Sequence, residues 1–176
     1  MHGGTSLFVN AFAAAETLRA TRPVDFTRLV TTPVIFHYIN DGRHLHYSHP
    51  TITLDPAVRS DGRRSGTEPR VTAVSYSPPF QGPLPRSTTD EFYDALGHFA
   101  ALVEAPAAVY AHRLGEGDAV VFDNRRMLHG RAAFEDGYGD EDSADGGPNR
   151  WLKGCYFEGD VMASHGRTLR ARLATE

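Results

Sequence analysis

The sequence predicts a mostly β domain with flanking helices, organised as a β-sandwich or jelly-roll core. Three observations support this. Short β-branched and aromatic runs recur between Gly-, Pro- and Asp-rich breaks. Long helical periodicity occurs once, with two lesser helical stretches elsewhere. The chain has 176 residues, 40% of them hydrophobic and 23% charged, which suffices for one domain with its own core.

"TSLFVN" opens with a short buried strand over residues 5–9, leading into a helix, "AFAAAETLRATR", that Pro23 ends. "DFTRLVTT" predicts a second short helix beginning at Asp25. "VIFHYI" (34–39) is β-branched and aromatic, hence a strand, and "NDGR" after it is a turn. "TITLD" and "RVTAVSYS" are further strands around a polar loop, and "SPPFQGPLP" is too proline-rich for a helix or a central strand. In "STTDEFYDALGHFAALVE", Phe92, Leu96, Phe99 and Val103 fall on one helical face, with Ser87 or Thr88 as the cap. "AAVYAHRL" and "DAVVFDN" read as strands flanking the turn "GEGD"; Asp123 and Asn124 end the second as turn formers. After the Gly- and Asp-rich stretch "GYGDEDSADGGPN", "RWLKGCYFEGD" reads as a strand and "VMASHGRTLRARLATE" as a basic helix capped by Asp160. The first strand begins only four residues into the sequence, a start typical of a truncated domain.

Composition excludes several functions. A net charge of −4 gives no basic footprint for nucleic acid. Cys155 is the single cysteine, so neither an internal disulfide nor a cysteine-based zinc cluster can form. No apolar run reaches the length of a membrane span. "SLFVNAFAAAETLRA" lacks the basic n-region of a signal peptide, and Arg19 and Arg22 give only faint support for a transit peptide. An intracellular protein, cytoplasmic or mitochondrial, is the expectation.

Nine histidines put metal binding in question. His44, His46 and His49 cluster in "HLHYSHP", where His44 and His46 share a face if the segment is extended; the plainer reading is an exposed polar edge. His37, His98, His112 and His165 stand alone and read as ordinary imidazoles. His129 ends an apolar run after a polar break, where a scaffold can hold its ring as a metal ligand.

"GDAVVFDNRRMLHGRAAF" resembles the segment carrying the second iron-binding histidine in the γ-butyrobetaine/trimethyllysine hydroxylase branch of the TauD/TfdA-like Fe(II)- and 2-oxoglutarate-dependent dioxygenases. The combination of FDN, Arg126 and LHGR is specific. "GGTSLFVNAF" resembles the strand after that family's first iron motif, and "RWLKGCYFEGDVMASHGRTLR" its closing segment. The resemblance implies a double-stranded β-helix (jelly-roll) core, incomplete at the N-terminus, with the whole of 1–176 as the C-terminal portion of the domain and 136–149 as an acidic insertion. It implies Fe(II) and 2-oxoglutarate, with ascorbate as an optional accessory, and a trimethylammonium amino acid as substrate. γ-Butyrobetaine to carnitine is the favoured conversion, because "RWLKGCY" sits nearer that subgroup.

Residue by residue, the resemblance makes His129 the distal histidine of the facial triad. Arg150 would bind the far carboxylate of 2-oxoglutarate, with Arg131 as competitor, although two residues along a strand from a ligand it would crowd the metal. Ser6 would be the hydroxyl partner at that carboxylate, with Thr5 as the fallback. Tyr156 would join an aromatic cage around the trimethylammonium group, or else be a plain core tyrosine. The family's other two ligands come from His-x-Asp or His-x-Glu, and neither pattern occurs in these 176 residues. The expectation is a polypeptide inactive by itself, prone to dimerise through exposed sheet surface. The alternative is a non-catalytic or degenerate module binding a small carboxylate or a protein partner.

Overall fold

The computed structural model describes residues 2–55, 68–135 and 152–174. Residues 2–135 form one unit and 136–176 another. In the first unit, strand β1 (His2–Gly3) and strand β2 (Ser6–Asn10) are separated by Gly4, whose φ of 73° turns the chain. Helix α1 (Ala11–Thr21) follows directly, and the Asn10 side chain accepts from the Ala13 N–H at 3.4 Å. Ala11, Ala14, Ala15 and Leu18 are all buried, at the spacing of one helical face. The Arg22 N–H returns to the Leu18 carbonyl, and Pro23 starts helix α2 (Pro23–Thr31) at a position where its missing N–H costs nothing.

Strand β3 (Pro33–Asn40) and strand β4 (Arg43–Pro50) form a hairpin. Asp41 and Gly42, at φ 52° and 72°, make the two-residue turn whose handedness suits a twisted ribbon. The "NDGR" turn is thus as expected, but the histidine-rich segment after it is a full strand. Strand β5 (Ile52–Leu54) pairs antiparallel with strand β6 (Val71–Val74), with a register shift between Thr53 and Leu54. The proline-rich connection contains one 3-10 turn, Pro78–Phe80.

Helix α3 (Asp90–Glu104) buries Phe92, Ala95, Phe99 and Val103 and packs against α1 and α2. Its cap is Thr89 rather than Ser87 or Thr88, and Thr89 makes no side-chain bond to the helix backbone. Its hydroxyl instead donates to the Glu91 carboxylate, and this bond is the main reason that the Glu91 pKa is lowered. Across the α2–α3 contact, the His98 Nδ1–H donates to the Asp25 carboxylate at 2.9 Å, which fixes the tautomer. Arg22 and Arg28 each lie 3.5 Å from the same buried Asp25. Strand β7 (Val109–His112), strand β8 (Met127–Arg131) and strand β9 (Phe134–Glu135) complete the unit. The sheets are β1–β9, β7–β2–β8, β3–β4 and β5–β6, every pairing antiparallel.

Two expected strands are not strands. Residues 118–123 have no ladder partner among the described residues, and Val121 is exposed. Leu152–Glu158, in the second unit, likewise have no regular structure. Strand propensity needs a neighbouring strand to receive its amide groups. The chain is consequently mixed helix and antiparallel strand rather than strand-dominated. Helix α4 (Gly159–Leu173) ends the second unit; its cap is Glu158, and Asp160 sits in the first turn. No described helix is long and apolar enough to cross a membrane.

Tyr76 packs edge-on against Phe99, ring centroids 5.7 Å apart. Burial, and then the Glu104 carboxylate, raise the Tyr76 pKa. A phenol whose pKa is higher folded than unfolded contributes stability that is complete below the unfolded value and disappears as pH rises through the folded one. Tyr76→Phe is therefore expected to lose less stability than the parent between about pH 8 and pH 11, since the unfolded phenol titrates near 10. Urea midpoints at both pH values test this; equal losses would refute it.

Candidate functional site

The sheet β7–β2–β8 positions the candidate site. Ser6 is opposite His112 on one side and Arg131 on the other; Phe8 is opposite Tyr110 and His129. Side chains alternate along a strand, so Ser6, Phe8, Asn10, Tyr110, His112, Met127, His129 and Arg131 share one face. Leu7, Val9, Val109 and Leu128 take the other face, where Val9 is buried and Val109 and Leu128 pack against the core. One face thus anchors the sheet and the other carries the polar chemistry.

His129 is exposed on that second face. The Phe122 ring lies 5.1 Å from its imidazole at 51°, and 5.6 Å from the Phe8 ring at 66°. The Phe122 ring thus borders the imidazole, and Phe8 is opposite His129 in the ladder by which β2 holds β8. The preceding turn is tied down locally: the Asp123 carboxylate accepts from the Arg125 N–H at 2.9 Å, and its carbonyl accepts from the Arg126 and Met127 N–H groups. Asp123 is the turn former expected of it.

Two register positions along, Ser6 is buried between Arg131 and His112. Thr5 is half-buried just ahead of β2, and its carbonyl accepts from the Ala132 N–H at 2.9 Å. His112 lies 3.8 Å from the Asp118 carboxylate, which also accepts from the Gly115 N–H and shapes the "GEGD" turn. Tyr110 stacks on His112, 6.1 Å apart and nearly parallel.

His129 and Ser6 are therefore brought to one face on adjacent strands, with Arg131 directly beside Ser6. Arg150 and the proposed insertion 136–149 lie outside the described residues. Tyr156 belongs to the second unit; it is 83% exposed and not on a strand. Sequence reasoning missed Phe8, Tyr110 and Phe122 as neighbours on this face. For Phe8 and Tyr110 the signal was the period-two alternation of "SLFVN" and "VYAH", which is informative only once the register is known; Phe122 lies in the irregular stretch before β8, which carries no such period. A cavity of about 580 Å³ lies at the start of α1, lined by Asn10, Phe12, Glu16, Arg70 and Arg126 among others, and His129 does not line it.

An iron centre of the facial-triad type needs two histidines and a carboxylate converging on one point. Among the described residues, no three His, Cys, Asp or Glu side chains converge in this way. His129 fits as one ligand, and the described residues do not make up the full set.

The model of the taurine catabolism dioxygenase TauD, TfdA family matches residues 1–156. Dioxygenase str8 of Strobilurus tenacellus is 46% identical over 170 residues, 97% of this chain and 37% of that protein. Gamma-butyrobetaine dioxygenase of Pseudomonas sp. (strain AK-1) is 34% identical over 165 residues, 92% of this chain and 38% of its own length. Trimethyllysine dioxygenase of Meyerozyma guilliermondii is 28% identical over 135 residues, 75% of this chain and 32% of its own. The chain spans well under half the length of each of these relatives.

Proposed function

The chain belongs to the taurine catabolism dioxygenase TauD, TfdA family, and from that membership we propose that it supplies one wall of an Fe(II)- and 2-oxoglutarate-dependent hydroxylase site. The observation that carries the proposal is the shared sheet face: His129 exposed on β8, with Ser6 and Arg131 in register two positions along. His129 is the metal ligand. Arg150, with Arg131 as competitor, binds the far carboxylate of 2-oxoglutarate through a planar fork that matches a carboxylate bidentately, and Ser6, with Thr5 as fallback, is the hydroxyl partner there. Residues 1–176 are read as the portion of a jelly-roll domain that carries the distal histidine. The other two ligands must come from residues outside this sequence, because it contains no His-x-Asp or His-x-Glu. In such enzymes the metal carries the oxidative chemistry and the protein contributes binding, orientation and exclusion of water.

The proposed substrate is a trimethylammonium amino acid, with Tyr156 presenting a ring face to the quaternary cation. γ-Butyrobetaine is preferred to trimethyllysine, in keeping with 34% identity to the relative named for the first and 28% to the relative named for the second. The 46% identical relative, named only as a dioxygenase, sets the rival: the same chemistry on another class of substrate. A second reading, a carboxylate-binding module without iron, is favoured by buried Ser6 lying beside Arg131 whether or not a metal is bound.

Anaerobic Fe(II) titration of the 176-residue chain, with succinate release measured, tests the proposal. The expected result is no tight one-to-one site and no turnover from the chain alone, with both restored when a segment carrying His-x-Asp is supplied ahead of it. A tight site and turnover from the chain alone would overturn the division of ligands. Failure to gain either with the added segment would favour the iron-free module. A substrate panel on the restored form separates γ-butyrobetaine from the rival class.

A further inference from the structure

The sequence singles out Arg126 together with FDN and LHGR, and the iron-site reading leaves Arg126 without a task. The structure gives it a place. Arg126 lines the cavity of about 580 Å³ at the start of α1. Its backbone is tied to the two elements, α1 and β6, that line the same cavity. The Arg126 carbonyl accepts from the Ala11 N–H of α1 at 2.9 Å, and the Arg125 carbonyl accepts from the Val74 N–H of β6 at 2.9 Å. The side chain is held as well. Its Nε donates to the Asn10 amide oxygen at 3.3 Å, and its guanidinium carbon lies 5.7 Å from the centre of the Phe12 ring. Asn10 and Phe12 both line the cavity.

We propose that this cavity binds a small organic carboxylate, singly charged and with an apolar body, through Arg126. The other charged groups of the cavity already have partners: Arg70 lies 3.5 Å from the Asp55 carboxylate, and the Glu16 carboxylate lies 3.4 Å from Arg19. Arg126 has no carboxylate partner among the described residues. Its bond to Asn10 uses one of five guanidinium N–H groups and leaves the two terminal nitrogens, whose fork matches a carboxylate bidentately. Phe12, Ala13 and Val71 supply apolar lining for a hydrocarbon body, and the volume is that of a small-molecule pocket. Glu16 and Asp55 line the cavity too, so a multiply charged anion such as phosphate meets like charge there. Binding at Arg126 needs no metal, and His129 does not line the cavity.

Titration of the 176-residue chain with benzoate, without metal and followed through the arginine Nε–H resonances by NMR, tests this. Saturable binding that shifts the Arg126 Nε–H is expected, and neither benzamide nor inorganic phosphate should match it. Arg126→Gln is expected to weaken benzoate binding by about ten-fold or more, the scale of one charge-assisted hydrogen bond. Arg126 is exposed, and a urea midpoint close to the parent's separates lost binding from lost fold. Should that variant unfold, Arg126→Lys keeps the charge without the fork and is expected to weaken binding too. Absence of saturable binding, affinity unchanged in Arg126→Gln but lost in Arg131→Gln, or phosphate bound as tightly as benzoate would each overturn the proposal.

Discussion

Replacing His129 by alanine is expected to cut 2-oxoglutarate turnover by about a hundred-fold or more in a chain that also carries His-x-Asp, because even outer-shell partners of metal ligands are worth about 10–100-fold. The substitution removes an imidazole from the exposed face of β8 and leaves the packing side of the sheet intact, since Val9, Val109 and Leu128 point the other way. Stability should therefore change by no more than about 0.5 kcal/mol, as for other exposed positions. Succinate release and a urea midpoint, measured together, distinguish a lost ligand from a lost fold. Full turnover in the alanine variant would remove His129 from the metal, and with it the proposed site.

The largest effect on stability is expected at Phe99. Its side chain is fully buried on the core face of α3, edge-on to Tyr76, where α3 packs against α1 and α2. Phe99→Ala removes a ring that the surrounding helices cannot close over, at a cost of about 3–5 kcal/mol. Single domains are stable by only about 5–15 kcal/mol, so this variant approaches the limit of folding. Tyr93, half-exposed on the other side of the same helix, is the control: Tyr93→Ala should cost about 0.5 kcal/mol or less. Urea denaturation of both variants checks the contrast, and a loss below about 1 kcal/mol at Phe99 would contradict the helical core.

The elements legible in the sequence were those set by local chemistry. Pro23 separates two helices because its ring cannot continue the first, and Asp41-Gly42 turns a hairpin because both residues tolerate positive φ. The apolar face of α3 was visible because it repeats within the helix itself. What could not be read depends on distant residues. The strand character of "HLHYSHP" comes from β3 lying beside it, and the same dependence removes residues 118–123 and 152–158 from the strands, since no ladder pairing is described for them. The caps slipped by one or two residues for a related reason: Thr89 and Glu158 are set by where the backbone enters the helix, not by the best capping side chain nearby.

The site was legible to a similar degree. His129 stood out through its flanking residues, and Ser6 through the strand that precedes α1. Arg131 was a competitor that could crowd the metal; pairing across β2 and β8 puts it two register positions beyond His129, on the same face and directly opposite Ser6. That placement depends on residues 125 positions apart in sequence, which no local pattern can relate. The aromatic neighbours Phe8 and Phe122 were hidden for the same reason: one comes from β2, the other from the irregular stretch before β8.

The position of β2 between β7 and β8 has a consequence for the order of folding. Its residues 6–10 can find no ladder partner until residues 109–131 have been made. At about 5–20 residues per second, the ribosome leaves "SLFVN" waiting on the order of 5–20 s. Helices α1, α2 and α3 are contiguous in sequence and can associate in that interval, since local contacts form faster than distant ones. The sheet bearing His129 can then close only after those helices, when its two late strands dock on either side of an early one, and the face that carries His129 does not exist until they do.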